Sequence, residues 1–296
     1  MKRSKGFLQL MRPANIVTSV ADVLAGIAIS GYLANDNFSA TYISSILLLS
    51  ISTIGLYGGG VVFNDVFDTE LDKIERPERP IPSGIISKEE GSLVGIILFV
   101  IGIIAAAIVS ILSGLIAISI IIAALVYDKW SKHHAFAGPF NMGLCRGLNL
   151  LLGISIVIPA ISAWWFVAII PIIYIAAITM VSRGEVHGGS KSALYSAALF
   201  YCIVIAAILL LSTERDMIWW AVIFLIPFAW MIFYALIKAI RLPSPQNIGK
   251  AVRAGVIALI VMDASMAAAF GAIVLAFLII LLLPVSLWLA KIFAVT

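Results

Sequence analysis

"FNDVFDTELDKIERPERPIPSG", residues 63–84, sits in a chain that is otherwise nearly as apolar as lipid, and that contrast decides the fold. Of the 296 residues, 62% are hydrophobic and only 11% are charged, whereas soluble domains carry about 25% charged residues. Apolar runs of about 17–25 residues, enough to cross a bilayer as helix, flank the stretch on both sides. The composition therefore predicts an all-α, polytopic membrane protein. The net charge of +4 calls for no nucleic-acid partner, because it follows from where Lys and Arg fall. Cys145 and Cys202 both lie in apolar runs, so no disulfide framework is expected. Residues 1–296 read as a single membrane-embedded domain. The basic start "MKRSKGFLQLMRP" reads as a lead into the first span rather than a cleavable signal.

Apolar runs and polar breaks place candidate spans at 15–33, 41–63, 92–111, 114–127, 139–159, 163–181, 193–211, 217–237, 252–270 and 274–291. A Ser-Gly break near 113 separates the third from the fourth, and 252–291 also allows one crossing plus a re-entrant piece. Nearly all of the nineteen Lys and Arg fall before span one, in the even-numbered loops or at the chain's end. Arg215 is the exception among the loops, and Arg146 lies within a span. This asymmetry orients the N-terminus and the even-numbered loops towards the cytoplasm, in a multi-pass protein of the inner or plasma membrane.

"NDVFDTELD" then lies at the cytoplasmic end of span two. At about 100° per residue, a helix sets Asp65, Asp68 and Asp72 within a sector of roughly 60°, with Glu70 pointing nearly opposite. Carboxylates gathered on one face repel one another, and more strongly at an apolar boundary, so a cation should balance them. Either the basic residues just downstream or a divalent ion fits. Hard carboxylate oxygens suit Mg²⁺, which favours substrate phosphates as further ligands. In "RPERPIPSG", Pro77 ends the helix at Arg76, and Arg76 and Arg79 offer planar forks for phosphate oxygens. Carboxylates, metal and arginines together describe a diphosphate site.

The paired segments "NDVFDTELD" and "RPERPIPSG" resemble the first aspartate-rich motif and adjoining loop of the UbiA superfamily of intramembrane prenyltransferases. "RPAN" at 12–15, and the tyrosine and lysine after span four, extend the likeness. "SRGEVHGG" and "ANIVTSVADVLAG" look most like its EboC-like branch. The resemblance implies a helix bundle, usually of nine spans, around a central cavity open to the cytoplasm and laterally to lipid. It also implies Mg²⁺ held by two acidic motifs and an isoprenyl diphosphate bound through it. The second motif falls at 182–190, where Glu185 stands for its first acid and Gly189 occupies the place of its second. Arg183 and His187 are candidates to replace lost interactions there.

On this reading Asp65, Asp68, Asp72 and Glu185 hold Mg²⁺. Asn15, Asn64, Arg76, Arg79, Asn141 and Arg183 contact substrate, and Tyr127 and Lys132 take catalytic roles, with Lys129 as a competing lysine. His133 and His134 read as loop residues. The partners implied are an isoprenyl diphosphate, a lipophilic acceptor and membrane lipids. Asp22, Arg146 and Asp263 lie in apolar runs, where charge is costly and is paired or functional; an Asp22–Arg146 or an Asp263–Arg146 pair is open. Two other readings stand beside transfer: a prenyl-lipid binding protein without turnover, favoured by Gly189, and a transporter using the three in-membrane charges as a relay.

Overall fold

Serine caps and prolines set where the helices begin. Ser87 and Glu90 form a reciprocal capping box, and Ser110, Ser190 and Ser244 each accept a backbone N–H of the turn they open. Pro13 and Pro245 occupy first-turn positions, where no backbone donor is lost. The computed structural model describes residues 2–34, 40–185 and 190–293. Its helices are α1 (Lys2–Met11), α2 (Pro13–Ile29), α3 (Ala40–Phe67), α4 (Thr69–Glu75), α5 (Lys88–Val109), α6 (Ile111–Lys129) and α7 (Ala137–Ile154). They continue as α8 (Ile158–Trp164), α9 (Ile169–Ser182), α10 (Lys191–Thr213), α11 (Ile218–Arg241), α12 (Pro245–Ala269), α13 (Ile273–Ile280) and α14 (Leu282–Ile292).

Among the described residues, nine helical segments are long and apolar enough to cross a membrane. The helix α7 is not one of them, because Asn141, Arg146 and Asn149 lower its hydropathy, yet it packs between α2, α6 and α9 in the middle of the bundle. The helices α2 and α12 are mostly buried, whereas α5, α10 and the α13–α14 pair turn most of their surface outward. The chain is a multi-pass integral membrane protein.

Three expectations shift. The break between the third and fourth spans is at Ser110, not near 113, because extended Ser110 (φ −163°, ψ 156°) both ends α5 and caps α6. The sixth span begins as the short α8, and a 3₁₀ turn at Trp165–Ala168 joins it to α9. Residues 252–291 form α12 followed by α13–α14, a second segment of crossing length, rather than a re-entrant piece.

At the centre, α2 and α7 approach through Gly26 and Gly153. A Cβ on Gly26 would overlap the Leu150 carbonyl oxygen, and one on Gly153 the Val23 carbonyl oxygen. Small residues permit such close helix contact in a membrane. Gly26→Ala and Gly153→Ala are each expected to cost about 1–3 kcal/mol through overpacking, outweighing the ~1 kcal/mol that alanine contributes as a better helix former. Lowered thermal unfolding midpoints of the detergent-solubilised protein would show this; unchanged midpoints would mean the two helices part at no cost.

Candidate active site

The acidic stretch is not one uninterrupted helix. The helix α3 ends at Phe67, Asp68 is a hinge (φ −85°, ψ 4°), and α4 runs from Thr69 to Glu75. Arg76 ends α4 with a non-helical backbone (φ −145°, ψ 59°) before Pro77, where the sequence predicts the helix to stop. Glu70 points to solvent and pairs with Lys73, at 2.9 Å.

The balancing cations come from this protein's own chain. Arg79 Nη1 donates to Asp72 Oδ2 at 2.6 Å and to Asp65 Oδ1 at 3.1 Å, with all three side chains buried. Arg12 Nη2 donates to the same Asp65 oxygen at 2.5 Å. Asp68 stands apart and pairs with Lys132, in a contact that retains some exposure (side chains 19% and 14%). Among the described residues, no three His, Cys, Asp or Glu form a ready metal cluster. Asp65 and Asp72 converge on Arg79, whereas Asp68 pairs with Lys132 and Glu185 forms no salt bridge among the described residues.

Beside this network a cavity of about 440 Å³ opens into the bundle. Arg12, Asn64, Arg76, Tyr127, Asp128 and Ser182 give it a polar rim, and Leu56, Val61, Ile120, Ala124 and Met142 supply apolar wall. Tyr57, Arg146 and Asn149 lie deeper; along α3, Tyr57 is two turns from Asn64, about 10 Å. Arg146 donates to Asp22 Oδ2 at 2.7 Å and to Thr18 Oγ1 at 2.8 Å, and lies over the Tyr57 ring. Asn149 donates to Asp22 and accepts from Thr53. Of the two pairings open from sequence, Asp22–Arg146 is the one that forms. The buried Asp263 carboxyl lies near that of Asp22 and has neither a hydrogen bond nor a salt bridge among the described residues.

The expected site residues divide by position. Asn64, Arg76 and Tyr127 line the cavity; Asp65, Asp68, Asp72 and Lys132 form the adjoining charge network. Glu185 shares this end of the bundle: it is half-buried, and burial raises its pKa while Arg76 and Arg253 partly oppose the rise. Arg79, expected at the substrate, is locked between two carboxylates and does not line the cavity. Asn15 likewise lies outside the lining, on the first turn of α2. Asn141 donates to Ser131 Oγ at 3.1 Å, and Arg183 donates to the His134 carbonyl, so both steady the link that carries Lys132. His187 and Gly189 lie outside the described residues.

Sequence reasoning passed over Arg12 and Asp128. Arg12 has a left-handed backbone (φ 48°) at the α1–α2 corner, uncommon for a residue with a Cβ. That corner brings its guanidinium to the rim. The signal was available in "RPAN", of which only Asn15 was singled out. Asp128 stood next to Tyr127, and Asn64 Nδ2 donates to its Oδ1 at 2.8 Å.

Solved structures share this architecture. A digeranylgeranylglyceryl phosphate synthase structure superposes with a TM-score of 0.67 at 23% identity, covering 92% of this chain and 99% of that one. A UbiA homolog from Archaeoglobus fulgidus bound to DMAPP and Mg²⁺ gives 0.64 at 17% identity, covering 90% and 99%. Among curated proteins, digeranylgeranylglyceryl phosphate synthase of Saccharolobus solfataricus is 32% identical over 178 residues, 56% of this chain and 60% of that protein. The Sulfurisphaera tokodaii protein of the same name is 29% identical over 176 residues, 60% of each chain. The chain thus spans about 60% of the length of these curated relatives. The model of the UbiA prenyltransferase family matches residues 23–258, well over half of the sequence. The chain belongs to the UbiA prenyltransferase family.

Proposed function

We propose that this protein is a Mg²⁺-dependent prenyltransferase that moves an isoprenyl group from an isoprenyl diphosphate to a lipophilic acceptor in the bilayer, at the cytoplasmic side. The observation that carries this reading is the joining of a carboxylate–cation rim to an apolar-walled cavity inside the membrane bundle. A diphosphate head with a hydrocarbon tail has that same division of polarity. The relatives' name, digeranylgeranylglyceryl phosphate synthase, makes a lipophilic glycerophosphate the first acceptor to try.

The donors fit Mg²⁺. Asp68 offers hard carboxylate oxygen with partial access, and Mg²⁺ usually takes one or two carboxylates plus substrate phosphates rather than a complete protein cage. Asp68 would hold it, with Glu185 at the same end of the bundle, while Asp65 and Asp72, tied to Arg79, would add negative charge beside it. When bound, Mg²⁺ supplies Lewis-acid stabilisation of the departing diphosphate. Arg12, Arg76 and Lys132 stand at the rim to neutralise the same leaving charge, which gains weight where water is excluded. The Tyr127 ring borders the space where positive charge develops on the allylic fragment. Leu56, Val61, Ile120 and Ala124 keep water away from that fragment. Buried Arg79 holds Asp65 and Asp72 in place and is a positioning residue.

Purified protein in proteoliposomes, given Mg²⁺, labelled geranylgeranyl diphosphate and geranylgeranylglyceryl phosphate, is expected to yield a doubly prenylated lipid detectable by mass spectrometry. Release of diphosphate with a different acceptor would keep the transferase and replace the acceptor. Flux of an intact substrate through the liposome without its conversion would favour transport instead.

A further inference from the structure

We infer that Asp128 is the base that takes the acceptor's proton, and that the acceptor reacts through a hydroxyl group. This rests on the transferase reading above and names its missing proton acceptor. Among the described residues lining the cavity, Asp128 is the one carboxylate. It sits in the last turn of α6, is 5% exposed, and takes part in no salt bridge with the described residues. Its Oδ1 accepts from the neutral amide of Asn64, and no hydrogen bond from the described residues engages its Oδ2. The other acids at this end differ. Asp65, Asp68 and Asp72 are each paired with Arg or Lys, whereas Asp128 is bonded only to a neutral amide.

Such a group assists one acceptor class in particular. An aromatic carbon sheds its proton after the cation has added, when almost any base suffices. A hydroxyl oxygen that bonds to C1 must also give up its proton to form a neutral ether, and a base within hydrogen-bond reach assists its attack. Asp128 stands where the cavity's polar rim meets its apolar wall, so it is a fixed carboxylate within reach of an acceptor in the cavity. A carboxylate buried at a membrane boundary is costly, and here one neutral amide is its only hydrogen-bond partner among the described residues.

The step balances. The acceptor oxygen forms a bond to C1 of the isoprenyl group, the C1–O bond to diphosphate breaks, and its electron pair leaves on the diphosphate. The hydroxyl proton passes to Asp128 Oδ2, with no oxidation or reduction. Asn64's hydrogen bond fixes the carboxylate's orientation throughout. The charged and titratable groups around Asp128 are Asp68 at the α3–α4 hinge, Arg12 at the α1–α2 corner, Lys132 beyond α6, Cys145 on α7 and Tyr127 on its own helix.

The test compares Asp128→Asn and Asp128→Glu with the unaltered protein in proteoliposomes, using labelled geranylgeranyl diphosphate, Mg²⁺ and geranylgeranylglyceryl phosphate. The amide oxygen introduced by Asp128→Asn would still accept Asn64's hydrogen bond, so the fold and the donor's equilibrium binding are expected to persist. Transfer should fall about 100-fold or more, and a larger share of the donor should end as prenyl alcohol. The pH dependence of transfer should lose its acidic limb, and Asp128→Glu should restore part of the rate. Transfer at the unaltered rate in Asp128→Asn would overturn the inference. So would an equal loss of donor binding and transfer, which would mark Asp128 as structural. If the unaltered protein transfers to no hydroxyl acceptor but prenylates an aromatic carbon, the inference fails while the transferase reading stands. If it releases no diphosphate at all, both fail.

Discussion

Asp68→Ala is expected to cut turnover by about 100- to 1000-fold, the size of effect seen when one preorganised electrostatic contact to a developing charge is lost. Asp68 differs from its two acidic neighbours. Asp65 and Asp72 are buried and tied to arginines, whereas Asp68 sits on the hinge between α3 and α4 with Lys132 as its partner and partial access to solvent. It is therefore the carboxylate most able to exchange a side-chain partner for a metal-bridged phosphate. Asp68→Asn keeps the shape and removes the charge, so a comparable loss there would identify charge as the cause. Because the pair is partly exposed, the fold should suffer little, and the thermal midpoint should stay near that of the unaltered protein. Initial rates of diphosphate release check this. Unaltered rates in Asp68→Ala would remove Asp68 from the site.

The largest stability effect belongs to Arg79→Ala. Among the described residues its guanidinium is the only cation bonded to Asp72 and one of two bonded to Asp65, in a setting where all three side chains are at most 5% exposed. Removing one member of a buried ion-pair network strands the others, at a cost of about 3–5 kcal/mol. The protein should unfold at markedly lower temperature or fail to stay monodisperse in detergent. Arg79→Ala combined with Asp72→Asn should recover part of the loss, since the stranded charge is then gone and the two positions are coupled. A single Arg79→Ala variant as stable as the unaltered protein would show that the network contributes nothing to the fold.

Much of this was legible in the chain because membranes impose a simple code: apolar runs of sufficient length give spans. The polar stripe of α7 was visible as Asn141, Arg146 and Asn149, and the end of α4 followed from Pro77. The need for cations beside Asp65, Asp68 and Asp72 was equally plain from like-charge repulsion. Arg79 comes from the downstream basic residues that were one of the two candidates, whereas Arg12 and Lys132 were not foreseen as partners. Arg12 and Asp65 are 53 residues apart and Lys132 and Asp68 are 64 apart, and a single sequence carries no distance information across such gaps. The same holds for Asn64 and Asp128. The Ser110 break was displaced for a local reason: a serine cap outcompeted the Ser-Gly pair that looked the more obvious interruption.

The most direct measurement is diphosphate release from labelled isoprenyl diphosphates, from dimethylallyl to geranylgeranyl, by the purified protein in proteoliposomes with and without Mg²⁺. Metal-dependent release that Asp68→Ala abolishes is the predicted result. Donors that bind yet are recovered intact at every chain length, with every acceptor supplied, would contradict the account and leave a lipid-binding protein in its place.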